Sequence, residues 1–417
     1  MTSSTTSSRG DAPSSSIRPY AGSRILLGVT GGIASYKSAW LARLLTKAGA
    51  EVDVVMTRAA TEFVGAITFE ALTGRPVHAG MFEQGRALDH IALARSATAL
   101  VVAPATADFL ARAATGQADD LLTSVLLATK SPVLLVPAMN DHMWAHPQTK
   151  HNVTHLASLG YRILNPDAGD LAAGEGTGPG RMPEPETIFA HVGRLLEPRG
   201  ALGGKRVLVT AGPTREAIDP VRFISNHSSG KMGVALASAA WRRGADVTLV
   251  SGPMSVAAPT AVQVTTVEST NDMKVAIDGA LPSTDVLIMA AAPADFRPSD
   301  PAQAKIKKTE SRSSIALAPT PDILQSTRAK RRGDSVIVGF ALETNDVLAN
   351  GRRKLESKDL DLIVVNDATE PGAGFGTDTN RVTLISRDGV ESRLPLMSKA
   401  EVADAILDRV EALLGGR

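Results

Sequence analysis

The chain of 417 residues contains no cysteine. Disulfides and cysteine-ligated metals are therefore excluded, and the composition is compatible with a reducing cytoplasm, where we expect the protein to reside. Aromatic residues make up only 4% of the sequence, too few for base-stacking platforms. Neither sign of charge prevails, with 44 basic against 43 acidic residues and a net charge of +1. That balance gives no reason to expect nucleic acid or an anionic membrane as a partner. No apolar run approaches the ~18 residues of a membrane helix. Residues 1–16 are Ser/Thr-rich and lack the apolar segment of a secretory signal. We read 1–21 as a disordered tail; with only Arg9 and Arg18 basic there, a transit peptide is the weaker alternative.

What is present suggests two α/β domains. Short runs rich in Val, Ile and Leu occur at 24–32, 49–57 and 98–109, and a second set at 206–212, 244–252 and 284–296. Continuous apolar strands of this length predict parallel sheets covered on both faces. Segments 33–48 and 230–243 have helical length and composition, and strand–helix–strand order in both halves predicts two doubly wound, Rossmann-like domains. Further strands are expected at 133–136, 336–340 and 360–365, and helices at 188–196 and 399–414. Residues 166–186 are Gly/Pro-rich and read as a mobile loop or flap. The linker at 198–204 places the boundary between domains 22–197 and 198–417.

In the first half, Thr30-Gly31-Gly32 follows a strand and precedes a helix with Ser35 in its first turn. Free N–H groups at such a helix start suit a phosphate, and two glycines let the backbone approach it. The bland alternative is a tight strand–helix turn without a ligand. The pattern is not G-x-G-x-x-G, which argues against an NAD-dependent dehydrogenase. Thr57, Pro104–Asp108 and Pro137–Asn140 all end strands and fall on the ligand face of an open sheet. His142, His146, His151 and His155 invite a metal reading, but Pro147 interrupts the helix between the two pairs and no H-E-x-x-H is present.

In the second half, the segment 224–232 (ISNHSSGKM) lacks the first glycine of a Walker A loop and has Met232 where Ser or Thr should follow Gly-Lys. Its serines and a helix start still suit a phosphate, the alternative being a polar loop that caps the helix. Lys305-Ile-Lys-Lys308 reads as a lid over phosphates or as an exposed charge run. Lys354 and Lys358, four apart on an expected helix, can face one ligand or solvent.

Pro137-Ala-Met-Asn140 with Met143-Trp144, Asp89-His90-Ile91 and Ala118–Ser124 resemble the motifs of flavin-dependent cysteine decarboxylases over residues 22–190. The resemblance implies a flavodoxin-like domain in which Gly31, Gly32, Ser35, Thr57 and Ser124 contact FMN. It makes His90 the acid/base and Asn140 the holder of the substrate carboxylate. A flavin can oxidise the substrate CH₂–SH and so create the electron sink that decarboxylation needs. One position departs from the family: its flap carries a cysteine that donates a proton, and here Ala173, before Gly174, stands in its place. Either Glu175 or water substitutes, or the domain stalls at an oxidised enethiol, or the chain is a deliberately cysteine-free one.

Ala211–Glu216, Ile224–Gly233, Ala291–Phe296, Lys305–Lys308, Gly339–Thr344 and Val365–Asp367 resemble the phosphopantothenate–cysteine ligases over residues 203–410. By that resemblance CTP activates the phosphopantothenate carboxylate as an acyl-cytidylate, which the cysteine amine attacks. Met289, Ala290, Ala291, Asp295, Pro321, Asp322, Ile323, Leu324 and Phe340 would line the nucleotide site. Lys305, Lys354 and Lys358 would face the phosphates with Mg²⁺, and Asn226 would act on the intermediate. Both resemblances in one chain imply a bifunctional enzyme of coenzyme A biosynthesis. The families' trimeric flavin contacts and dimeric ligase contacts together imply a homo-oligomeric dodecamer. Two further readings are a working ligase whose flavin domain serves assembly, and a flavin-binding scaffold without turnover.

Overall fold

The computed structural model describes residues 19–81, 88–171, 176–197, 200–307, 314–343, 346–367, 374 and 376–416. The expected tail up to residue 18, and Ala173 and Gly174 of the expected flap, lie outside the described residues. The chain forms two compact units, one ending at Leu196 and one beginning at Glu197.

In the first unit, six parallel strands form one sheet: β1 (Arg24–Val29), β2 (Glu51–Met56), β3 (Val77–His78), β4 (Ala99–Ala105), β5 (Val133–Pro137) and β6 (Arg162–Ile163). Their order is 3-2-1-4-5-6, that of a Rossmann-like sheet, with the switch point between β1 and β4. Along β1, Ile25, Leu27 and Val29 enter one core and Leu26 the other, as period-two alternation requires of a strand buried on both faces. Helices α1 (Ser35–Lys47), α2 (Ala66–Thr73), α3 (Asp89–Ser96), α4 (Ala107–Ala114), α5 (Leu121–Ala128), α6 (Asp141–Ala145), α7 (Pro147–Ser158) and α8 (Pro185–Leu196) accompany the sheet.

The Gly/Pro-rich stretch 166–186 is not structureless where it is described. It forms an antiparallel hairpin of β7 (Asp167–Asp170) and β8 (Thr177–Arg181). A Cβ on Gly180 would run into the carbonyl of Met139, and Gly180 O accepts from Met139 N at 3.0 Å. The glycine that suggested a loose loop instead lets the hairpin close on the end of β5.

The second unit carries an eight-stranded sheet built on β9 (Arg206–Ala211). Hairpin β10 (Glu216–Ala217) and β11 (Phe223–Ile224) follows β9, and then come β12 (Asp246–Ser251), β13 (Gln263–Thr266) and β14 (Val286–Met289). A second hairpin pairs β15 (Phe296–Pro298) with β16 (Leu317–Pro319). Strands β17 (Val336–Glu343), β18 (Leu362–Asp367), β20 (Val382–Ser386) and β21 (Glu391–Arg393) complete the sheet, and β19 (Thr379–Asn380) pairs with β22 (Met397–Ser398). The order is 13-12-9-14-17-18-20-21, parallel through β18 and antiparallel thereafter. Its first six strands repeat the order of the first unit, which is the structural counterpart of the two sets of apolar runs. Helices α9 (Lys231–Arg242), α10 (Thr270–Ala280), α11 (Ile323–Ser326), α12 (Val347–Ser357) and α13 (Lys399–Gly415) complete the unit. Two doubly wound Rossmann-like units are thus present, as the sequence predicts.

On α8, burial, and then the nearby Arg194 and Arg162, push His191 down to about 4. The folded state holds it neutral while an unfolded chain would protonate it near pH 6.5. The stabilisation is complete above that pH and is lost as pH falls from about 6.5 to about 4. Discounted for partial solvent contact, the loss is on the order of 2 kcal/mol. In thermal melts, His191→Asn should flatten the decline in Tm over that interval; an unchanged slope would show that other groups carry it.

Candidate active sites

In the first unit a cavity of about 780 Å³ opens at the carboxyl end of the sheet, beside the switch point, a volume that suits a cofactor. Thr30, the residue after β1, sets its floor. Its hydroxyl donates to Pro104 O at 2.8 Å and accepts from Thr106 N at 3.2 Å, which ties the end of β1 to the end of β4. Next, Gly31 passes so close to Ala59 that an added Cβ would lie 2.8 Å from that residue's carbonyl carbon. Then α1 begins with no side-chain cap and no acidic residue in its first turn. An uncapped helix start with close backbone approach fits the phosphate of a flavin mononucleotide. Ile33, Ala34, Met139, Met143 and Met182 line the cavity with apolar surface, which fits a planar ring system.

Several of the charged residues on the cavity wall are partnered. Lys37, only 6% exposed, donates to Met182 O at 2.9 Å and to Glu184 Oε1 at 3.0 Å. That lysine holds Glu184 below the usual carboxylate range. Arg112 meets Asp108, Asp119 and Asp120 at 3.0, 3.0 and 2.7 Å. Burial opposes its charge, but Asp120 and its neighbours hold Arg112 above its ordinary value. Asn140 caps α6, accepting from His142 N at 2.9 Å, and its residue lines the cavity.

The second unit repeats the device. Thr210 in β9 accepts from Ala291 N at 3.0 Å, across the switch point to the segment after β14. A cavity of about 280 Å³ lies there, lined by Ser228–Gly233, Ala290–Pro293, Asp295, Phe340–Leu342, Lys354, Asn366, Gly374, Asn380 and Lys399. Helix α9 enters through Gly230 without a side-chain cap. The Asn226 amide spans the loop, donating to Ala292 O and accepting from Ser228 N at 3.0 Å. Asn366 Nδ2 donates to Asn380 Oδ1 at 3.2 Å, and the buried Asn366 Oδ1 finds no partner among the described residues.

The structure brings some of the expected residues to these cavities and keeps others away. Gly31, Gly32, Thr57 and Asn140 line the first. Ser35 and Ser124 spend their hydroxyls on their own backbone, Ser35 on Gly32 O and Ser124 on Ala118 O at 3.2 Å. His90, half-buried in the first turn of α3, is not part of this cavity's wall. In the second unit Ala290, Ala291, Asp295, Phe340 and Lys354 line the cavity, and Met289 lies beneath it, 6% exposed. Asp322 caps α11 and meets Lys358 at 3.1 Å, with Pro321 exposed beside it and Ile323 and Leu324 in the core. Lys305 is exposed on a segment anchored by Asp219, whose carboxylate accepts from Ile306 N at 3.1 Å. Arg222, with backbone N–H groups, keeps Asp219 well below the usual carboxylate range.

Sequence reasoning assigned no role to Lys37, Arg112, Lys231, Asn380 or Lys399. Lys231 stood within the Ser-Ser-Gly-Lys segment, a signal that was there to use. Lys399 and Asn380 lie far along the chain in no recognisable phosphate motif. Among the described residues no group of three or more His, Asp or Glu could hold a metal ion, and none of the helices is long and apolar enough to cross a membrane.

Two Rossmann-like units, each with a cavity at its switch point and one of them shaped for a flavin, define a two-domain flavoprotein-type enzyme. Comparison with known proteins narrows this. Residues 13–197 match the Flavoprotein family and residues 202–414 the DNA/pantothenate metabolism flavoprotein C-terminal domain. The chain is 46% identical over 403 residues to the coenzyme A biosynthesis bifunctional protein CoaBC of Vibrio vulnificus, covering 96% of this chain and 100% of that protein. The CoaBC protein of Mycolicibacterium smegmatis is 47% identical over 406 residues, covering 94% of this chain and 98% of that one. The solved C-terminal domain of a CoaBC protein is 41% identical, covering 52% of this chain and all of that domain, with a TM-score of 0.45. The chain belongs to the family of bifunctional coenzyme A biosynthesis proteins, and it is an enzyme of that pathway with a flavoprotein domain.

Replacing Gly31 by Ala places a methyl group against Ala59, at the loop where a flavin phosphate would be approached. We expect roughly tenfold weaker flavin retention, equivalent to about 1.4 kcal/mol, at the lower end of overpacking costs. Flavin absorbance of the purified variant, beside its melting temperature, checks this. Full flavin content would place the phosphate elsewhere.

Proposed function

We propose that the second unit joins cysteine to 4'-phosphopantothenate using CTP. The substrate carboxylate attacks the α-phosphorus and releases pyrophosphate; the cysteine amine then attacks the acyl-cytidylate and releases CMP. What carries this reading is the second cavity, where Ser228–Gly233, Ala290–Pro293, Asp295, Phe340 and Lys354 converge from separate parts of the chain. These are the ligase-like segments of the sequence. Lys305, Lys354 and Lys358 would face the triphosphate, with Mg²⁺ riding on its oxygens rather than on a protein cage. The Asn226 amide, held by Ala292 and Ser228, would orient the intermediate. Domain 198–417 is assigned this step.

Domain 22–197 is assigned the decarboxylation of phosphopantothenoylcysteine to 4'-phosphopantetheine. Gly31, Gly32 and the start of α1, with Ser35, Thr57 and Ser124, would hold FMN. When bound, it supplies a two-electron acceptor that returns the pair by the end of the cycle, so the net reaction is redox-neutral. Asn140 would bind the substrate carboxylate without adding charge. His90 would move protons; because it is absent from its own chain's cavity wall, it would serve the cavity of a neighbouring subunit. Exposed Ile33, Tyr36 and Trp40 around the start of α1 suit such a contact. In unit two, exposed Val221, Phe223, Phe296 and Leu317 on the two hairpins suit another. Trimeric and dimeric contacts together would close a cytoplasmic dodecamer.

Ala173 motivates a second reading, in which the ligase works and the flavin domain is impaired, since a methyl group donates no proton. Mass spectrometry of the products from 4'-phosphopantothenate, cysteine, CTP and Mg²⁺ separates the two. Phosphopantetheine with CMP is expected if both units turn over. Phosphopantothenoylcysteine, alone or with a dehydrogenated decarboxylation product, would establish the second reading. No CTP-dependent pyrophosphate release would overturn both and favour a scaffold.

A further inference from the structure

Lys37 has no part in the roles above, yet it stands on the wall of the first cavity and is buried. It lies in the first turn of α1, the helix whose start would face the flavin phosphate. Its ammonium reaches the residues just after β8, donating to Met182 O at 2.9 Å and to Glu184 Oε1 at 3.0 Å. Arg181, the last residue of β8, shares that carboxylate oxygen at 2.5 Å. Arg181 also lies over β7, where a Cβ on Gly169 would stand 3.2 Å from its Nη1. The hydrogen bond from Lys37, against partial desolvation, holds Glu184 below the usual carboxylate range, so the carboxylate is ionised at neutral pH. Burying an ammonium is costly, and a well-packed apolar pair in place of such a contact is often as stable or more so. Stability alone therefore gives little reason for a lysine here.

A second anchor lies two residues earlier. Met139 N donates to Gly180 O at 3.0 Å, and Gly180 has no room for a side chain against Met139 O. The segment 180–182 is thus strung between the residues that follow β5 and the first turn of α1. Gly180, Arg181 and Met182 all line the cavity, as do Met139 and Asn140. We propose that Lys37 is a positioning residue for the decarboxylation: it latches the stem of hairpin β7–β8 to α1 and so sets the cavity wall formed by Gly180, Arg181 and Met182. It acts through Met182 and Glu184, not by contact with the reacting atoms. The catalytic consequence rests on the flavin-dependent decarboxylase reading of residues 22–197; the latch itself rests on the geometry. The phosphate end of the cavity has its own ties, from Thr30 to Pro104 and Thr106, so loss of the latch should leave flavin binding in place.

The test compares Lys37→Met, Glu184→Gln and the double variant with wild type, using the full chain. Hydrogen exchange read by mass spectrometry should be about 10- to 100-fold faster at residues 176–182 of Lys37→Met, the range of a lost hydrogen bond to a charged group. Glu184→Gln, which keeps the bond to Met182, should shift exchange in the same direction by less. Residues 133–137 of β5 should exchange as in wild type. Flavin content should stay near that of wild type. Carbon dioxide release from phosphopantothenoylcysteine by Lys37→Met should fall roughly 100-fold in kcat, the cost of groups misplaced by about 1 Å. The double variant should lose no more than Lys37→Met, because both changes act on one contact. Unchanged exchange at 176–182 would overturn the inference. Faster exchange throughout the unit, with activity lost only in proportion to a lowered Tm, would overturn it in favour of a purely structural pair. Flavin lost in step with activity would overturn it too, by placing the ammonium on the cofactor. Wild type that releases no carbon dioxide would overturn the decarboxylase reading, whereas the exchange rates would still decide the latch. Should Lys37→Met fail to fold, Glu184→Gln, at a side chain 50% exposed, decides the matter by the same readings.

Discussion

A single threonine hydroxyl at the end of the first strand governs each unit. In a doubly wound sheet the chain leaves the central strands in opposite directions, which opens a crevice between them. Backbone groups at the rim of that crevice have no ladder partner and must be satisfied. Thr30 does so for Pro104 and Thr106, and Thr210 does so for Ala291. The crevice is held open at a fixed width, and its floor is made polar only where a hydrogen bond completes it. The following loops take their course from there: Gly31 against Ala59, and Ser228–Gly233 over the end of β9.

From this shared frame the two sites diverge in chemistry. The first is walled by methionines and aliphatic side chains, and two of its cations meet carboxylates, Lys37 with Glu184 and Arg112 with three aspartates. It suits a ring system carrying one phosphate. The second is smaller; there Lys231 meets the Asp378 carboxylate, and the buried Lys399 donates to the carbonyls of Gly374 and Thr377. The same topology thus carries two differently lined cavities because the loops after the strands, not the strands, contribute most of the side chains.

Much of the fold was legible because parallel strands buried on both faces leave uninterrupted apolar runs. Strands β1, β2, β4 and β5, and β9, β12, β14, β17 and β18, all lie on such runs. The short edge strands β3 and β6 were not legible, since a pair of residues at a sheet margin leaves no pattern. Nor were antiparallel β20 and β21 foreseen. The hairpin β7–β8 was hidden by its glycines, which signal turns and close packing in the same letters. At the sites, Gly31, Asn140 and Ala291 could be placed because each follows a strand end directly. Lys399 could not, because it reaches its cavity only through the packing of α13 beside α9. Ser35 and Ser124 lie beside the expected strand ends, with their hydroxyls donating to the carbonyls of Gly32 and Ala118.

The cores tell something about ancestry. The two clusters of the first unit draw only on residues up to Leu195, and that of the second only on residues from Leu208 onward. The junction between them contributes to none of these clusters. Each of these clusters is built from the residues of one unit alone. Fusion fixes the two activities at equal copy number, which a shared promoter could only approximate.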